Sequence, residues 1–167
     1  MNRMVSLRDM LAQQVQGLFN AEKLTLDELR NMRQRASSPE LRGIIGRQMS
    51  ECELHIIRLE MVFKRLVISP SHEIPAGVKG LIHEGNMLAA VCTDPLVLDA
   101  GLIRSLQYIH HYKIAGYGTA AAYSNALEEW DVQELMQESV VGEKELDREL
   151  TKLAVERVNK SARIPLG

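Results

Sequence analysis

The sequence predicts an all-α protein, a bundle of four long helices arranged as two antiparallel hairpins with a crossover between them. Two observations carry this. Aromatic residues are only 4% of the chain, and its β-branched residues never gather into an alternating run bounded by turn residues, so strand signals are nearly absent. Apolar residues instead recur at steps of three and four through long stretches, and a proline or an oxygen-bearing side chain marks most of the breaks.

The first helix runs from about Ser6 to Gln34 and ends before Ser38-Pro39, where a serine N-cap precedes a proline suited to the first helical turn. The second runs from Pro39 to about Val67 and stops at ISPSHEIP, a loop with two prolines. A short helix covers Gly77 to Ala90. Asp94-Pro95 starts the third long helix, which continues to about Leu127, and the fourth spans Trp130 to Val158. The tail from Asn159 to Gly167 reads as frayed. Helices of roughly 28 to 33 residues are about 40 to 50 Å long, and tight turns near residue 36 and residue 128 pair them. Two hairpins joined by a crossover describe a ferritin-like four-helix bundle, a single domain over residues 1–167.

The inward stripes contain polar residues. In the first helix Leu7, Leu11, Val15, Leu18, Thr25, Leu29 and Met32 are interrupted by Glu22. The second reads Leu41, Ile44, Gln48, Glu51, His55, Leu59, Val62 and Leu66, and its Glu51 and His55, four residues apart, share a face. Lys113 stands in the third stripe, and Glu143 in the fourth with Asp147 one turn beyond. Antiparallel helices bring together residues equidistant from their turn. Glu22 and Glu51 are centred near the first turn and Lys113 and Glu143 near the second, so both hairpins place charge at matching depth.

The halves repeat, with nearly equal separation within each pair and a further polar residue, His55 or Asp147, four positions on. This is the plan of di-iron and di-manganese carboxylate bundles, in which glutamates and histidines face one another inside the bundle. Buried carboxylates are costly to desolvate, and a cation offsets that cost. The plan is departed from in three places. Glu51 to His55 is i, i+4 where i, i+3 is usual, Asp147 stands where a second histidine is expected, and the third helix offers Lys113, whose ammonium cannot ligate a metal. His110 and His111 point about 100° apart on a helix, so only one can face the centre.

Composition narrows the function classes. With 20 Lys+Arg against 22 Asp+Glu the net charge is −2, which gives no electrostatic footprint for nucleic acid or an anionic membrane. Cys52 and Cys92 form no CxxC pair, so neither a disulfide framework nor a cysteine zinc site is expected, and a reduced, cytoplasmic compartment fits. The start, MNRMVSLRDMLAQQ, has no signal-peptide core, and no stretch is apolar enough for a membrane span. No motif defines a reaction, so enzyme activity is left open, with redox chemistry expected only if a redox metal binds.

The segments FNAEKLTLDEL, SECELHIIRLEMVF, GLIHEGN, QYIHHYKIAGYGTAAA and ESVVGEKELDRELTKLA resemble the YciF/YciE family, bacterial ferritin-like proteins of unsettled function associated with stress responses. The resemblance covers about Leu7 to Lys160. It implies a di-iron-type centre with iron or manganese inside the bundle and, commonly, a homodimer. Carried over residue by residue, Glu22, Glu51, His55 and Glu143 match family positions thought to face the metal. The family's E-H-Y-E reads His110-His111-Tyr112-Lys113 here, and Gly142 replaces a further glutamate. The candidate ligands are therefore Glu22, Glu51, His55, His110, Glu143 and Asp147. The alternative is a metal-free structural or interaction bundle in which the Lys113 charge replaces that of the metal.

Overall fold

A computed structural model describes residues 4–163, and every regular element among them is helical. Helix α1 spans Leu7–Arg35, α2 Pro39–Leu66, α3 Ala76–Val91, α4 Pro95–Ala126 and α5 Trp130–Leu153. The expected boundaries hold to within a residue or two, except at the end of the last helix. There, Ala154–Val158 is a π-helical turn, closed by a hydrogen bond from the Asn159 amide to the Ala154 carbonyl, and one further turn, Asn159–Ser161 (α6), follows. The wider turn keeps Ala154 and Val158 on the buried side. The part of the expected frayed tail beyond Arg163 lies outside the described residues.

The helix starts are fixed by short polar side chains. The Ser6 hydroxyl accepts from the Asp9 amide while the Asp9 carboxylate accepts from the Ser6 amide, a capping box. Ser38 and Asp94 cap α2 and α4 ahead of Pro39 and Pro95. The α1–α2 turn is held from outside by Asp99, which is buried in the second turn of α4. Its carboxylate accepts from the amides of Ser37 and Ser38, both at 2.8 Å, and from the Ser37 hydroxyl at 2.7 Å.

Helix α1 packs against α2 and α4, and α5 packs against both α2 and α4, so the four long helices enclose a common interior. The short helix α3 lies outside them, mainly on α4, with Val78, Ile82, Gly85 and Ala89 facing inward. Gly85 permits this approach, because a Cβ there would sit 2.9 Å from the Ser105 hydroxyl.

The interior has two apolar layers. One gathers Leu29, Met32, Leu41, Ile45, Leu102, Leu106 and Leu150 near the α1–α2 turn. The other gathers Leu11, Val15, Leu59, Val62, Phe63, Ala120, Val132 and Met136 near the α4–α5 turn. Between these layers the stripes of all four long helices turn polar.

A buried ion cluster at the bundle centre

Glu22 on α1, His55 on α2 and Glu143 on α5 are each fully buried, and Lys113 on α4 is 2% exposed. Each sits one or two helical turns from apolar stripe residues, so the packing that buries Leu18 and Leu29, Leu59, Ile109 and Leu146 also carries these four inward. They form one ionic cluster. Lys113 Nζ lies 2.9 Å from Glu22 Oε2 and 2.6 Å from Glu143 Oε1. His55 Nδ1 lies 2.9 Å from Glu22 Oε1 and 3.3 Å from Glu143 Oε1. The Tyr117 hydroxyl, one turn beyond Lys113, donates to Glu22 Oε1 at 2.6 Å, and its ring meets that of His55 edge to face.

On the far side of Glu143, His110 Nδ1 lies 2.5 Å from Oε2, and His110 Nε2 lies 2.7 Å from the amide nitrogen of Gln48. That amide can only donate. His110 therefore accepts through Nε2 and carries its proton on Nδ1, where it donates to Glu143.

Protonation follows from this geometry. Burial works to raise both glutamates, but Lys113 and the histidine hydrogen bonds outweigh it and hold Glu22 below, and Glu143 well below, the usual carboxylate range. Burial likewise disfavours the charged forms of Lys113 and His55. Anionic neighbours keep Lys113 well above its ordinary value, and hydrogen bonds to Glu143 and Glu22 raise His55. Burial pushes the Cys52 thiol and the Tyr117 hydroxyl up, so both stay protonated. Two carboxylates thus face one ammonium and a histidine whose charged form they favour, a set that is charge-balanced when His55 is protonated.

Not all six residues singled out as candidate ligands from the sequence come together. Glu22, His55 and Glu143 converge, each offering a ligand atom within 4.8 Å of the others, and His110 joins them through Glu143. Glu51 does not enter. Its side chain is 35% exposed and approaches only His55 Nε2, at 3.5 Å, because the buried stripe of α2 runs through Gln48, Cys52 and His55. It folds over the cluster beside Gly142, where a Cβ would meet Glu51 Oε2 at 2.9 Å. Asp147 lies outside, bonded to Gln107 and paired with the exposed His111. Equal depth in the first hairpin pairs Glu22 with His55, one turn past the expected Glu51.

Gln48, Cys52 and Tyr117 complete the cluster, and of these only Gln48 stands in a stripe read from the sequence. The spacing of Tyr117, four residues after Lys113, was the available signal.

A two-metal centre does not fit this donor set. Three ligand atoms converge where such centres need more, and the Lys113 ammonium rests on the carboxylate oxygens that a cation would use. Two buried atoms, His55 Nε2 and Glu143 Oε1, lack a well-aligned hydrogen bond, which leaves a Glu–His–Glu set as a candidate site for a single ion if Lys113 withdraws.

Known proteins share the chain's architecture and sequence. Protein YciF of Escherichia coli K12 is 29% identical over 162 residues, 95% of this chain and 96% of that protein. The crystal structure of the E. coli stress protein YciF superposes with a TM-score of 0.88 at 28% identity, covering 94% of this chain and 99% of that one. YcfI from Rhodopseudomonas palustris gives a TM-score of 0.87 at 28% identity, covering 90% and 96%. A protein from Xanthomonas campestris pv. campestris, at 16% identity and a TM-score of 0.66, shares the fold alone. The family model for the domain of unknown function DUF892 matches residues 6–163, and the chain belongs to that family.

Proposed function

We propose that this chain is a ferritin-like four-helix bundle of the stress-protein type, whose centre is closed by its own lysine in the place of a metal ion. The observation that carries the reading is Lys113 Nζ within 2.9 Å of Glu22 Oε2 and 2.6 Å of Glu143 Oε1. The ammonium supplies the positive charge that two buried carboxylates require, and His55 supplies the second. On this reading the protein's contribution under stress is structural, through the bundle and what it binds. A cytoplasmic location belongs to the same proposal and is supported by the two free thiols; no described helix is long and apolar enough to cross a membrane.

The test is metal content by mass spectrometry after anaerobic reconstitution with Fe(II) or Mn(II) and desalting, on wild type, Glu143→Ala and Lys113→Glu. The expected result is substoichiometric metal in wild type and a gain in Lys113→Glu. Stoichiometric metal in wild type, lost in Glu143→Ala, would establish the second reading, a single iron or manganese ion held by Glu22, His55 and Glu143. The two buried atoms without an aligned partner, His55 Nε2 and Glu143 Oε1, are what favour that reading.

The homodimer belongs to the same proposal. Leu54, Ile57 and Met61 are 39%, 54% and 50% exposed along one face of α2, an apolar stripe of the kind that protein interfaces cover. Light scattering should give a dimer mass, lowered to that of a monomer by Ile57→Glu.

A further inference from the structure

Beside the ion cluster, toward the α1–α2 turn, lies a void of about 10 Å³ walled by Thr25, Gln48, Cys52, His110 and Lys113 together with apolar side chains. Two polar atoms on residues of this wall have no partner in the protein, Thr25 Oγ1 and Gln48 Oε1, and their residues are 3% and 2% exposed. Both are deep enough that leaving them unpaired is costly, and buried polar groups in folded proteins are almost always satisfied.

Lys113 points to the same place. Its ammonium carries three donors. One donates to Glu22, one side of the ammonium is taken up by the close ion pair with Glu143, and the remaining donor meets only the Cys52 sulfur, a weak acceptor, at 3.7 Å. A donor from Lys113, an acceptor on Gln48 and a hydroxyl on Thr25 that can do either thus border one space, of about the size a single water requires.

We infer that one water molecule is a built-in part of this interior, accepting from Lys113 Nζ and bonded to Gln48 Oε1 and Thr25 Oγ1. The wall selects the occupant. A cation would face the ammonium, an anion would face the Gln48 carbonyl and the nearby Glu143, and anything larger than water exceeds the volume. With the water in place a ring closes, from Lys113 through its ion pair to Glu143, then by hydrogen bonds to His110 and Gln48 and back through the water. Thr25 adds α1, so one molecule bonds to three of the long helices, and the ring brings in α5 through Glu143.

The test is an atomic-resolution crystal structure of the full chain, with oxygen-17 relaxation dispersion in solution to detect a long-lived internal water. Wild type should show one ordered, non-anomalous peak within hydrogen-bond distance of both atoms and the matching slow-exchange signal. Absence of that water, or anomalous scattering from an ion in its place, overturns the inference. Thr25→Val/Gln48→Leu should lose both the peak and the signal, and a folded double variant that keeps them also overturns it. Should the double variant fail to fold, Thr25→Val alone should shorten the water's residence time. An unchanged residence time would count against the site.

Discussion

The two helical hairpins carry similar residues to opposite fates. Glu143, the acidic residue of the second, is fully buried with Lys113, His55 and His110 around it. Glu51, its counterpart in the first, keeps its side chain 35% exposed and approaches one partner. One turn further on the order reverses, with His55 inside the cluster and Asp147 outside it, half-buried and paired with the exposed His111. A repeat visible in sequence has become an interlocking pair, in which each hairpin supplies an inward charge at the level the other leaves open. The cause is a rotation of about one residue, or 100°. Helix α2 turns Cys52 inward beside Gln48, whereas α5 turns Glu143 inward between Ser139 and Leu146.

The strongest way to break this arrangement is to remove its cation. Lys113→Met should cost about 3–5 kcal/mol of unfolding free energy in urea titrations, since it strands two buried carboxylates. Adding Glu22→Gln and Glu143→Gln to it should recover most of the loss. If Lys113→Met alone proves neutral, the cluster is not held by charge balance.

The contrast between the hairpins is sharpened by a matched pair. Glu143→Gln should cost about 2–3 kcal/mol, as it breaks a buried, charged hydrogen-bond set. Glu51→Gln should change stability by less than about 0.5 kcal/mol, as a partly exposed group. Equal effects would mean that the two positions are equivalent after all.

Acidity offers a subtler probe. His55 is raised above its ordinary 6.5, so the stability that its charge confers is complete below that value and lost as pH rises through the folded-state pKa. Glu22 and Glu143 are lowered from 4.5, so their contribution is complete above that value and lost as pH falls through the folded-state values. Unfolding free energy should therefore peak between about pH 4.5 and 6.5, and His55→Gln should flatten the alkaline side most, with a smaller loss on the acid side, where His55 helps hold Glu22 and Glu143 down. The smallest effect belongs outside the cluster: Asp147→Asn weakens a pairing with the exposed His111 but keeps an oxygen to accept from Gln107, and should shift stability by less than about 0.5 kcal/mol in the same titrations.

Helix order and limits were legible because their signals are local. Ser6 with Asp9, Ser38 with Pro39 and Asp94 with Pro95 announce helix starts within a few residues. The depth of Glu22, Lys113 and Glu143 was legible from the stripes, since one polar residue among apolar neighbours is conspicuous. Glu51 was misplaced because it and Cys52 are adjacent, and a stripe read in steps of three or four can take either. Gln48 and Thr25 look like ordinary stripe members, and only three dimensions show that their oxygens share a wall with Lys113. The π turn after Leu153 has no residue type that marks it. Asp99 gave no sign either, because its partners, Ser37 and Ser38, lie two helices back in the chain.

That last contact reaches beyond stability. Asp99 meets Ser37 and Ser38 across separations of 62 and 61 residues, whereas each hairpin can zip up from its own turn. Closing so long a loop is slow and entropically costly compared with a hairpin. The Asp99 clasp should thus form after both hairpins, as a latch shut at the end of folding. In stopped-flow chevrons Asp99→Asn would then speed unfolding and leave the folding arm nearly unmoved. The consequence is kinetic: the lifetime of the assembled bundle is set at its rim, by one aspartate, as well as at its charged centre.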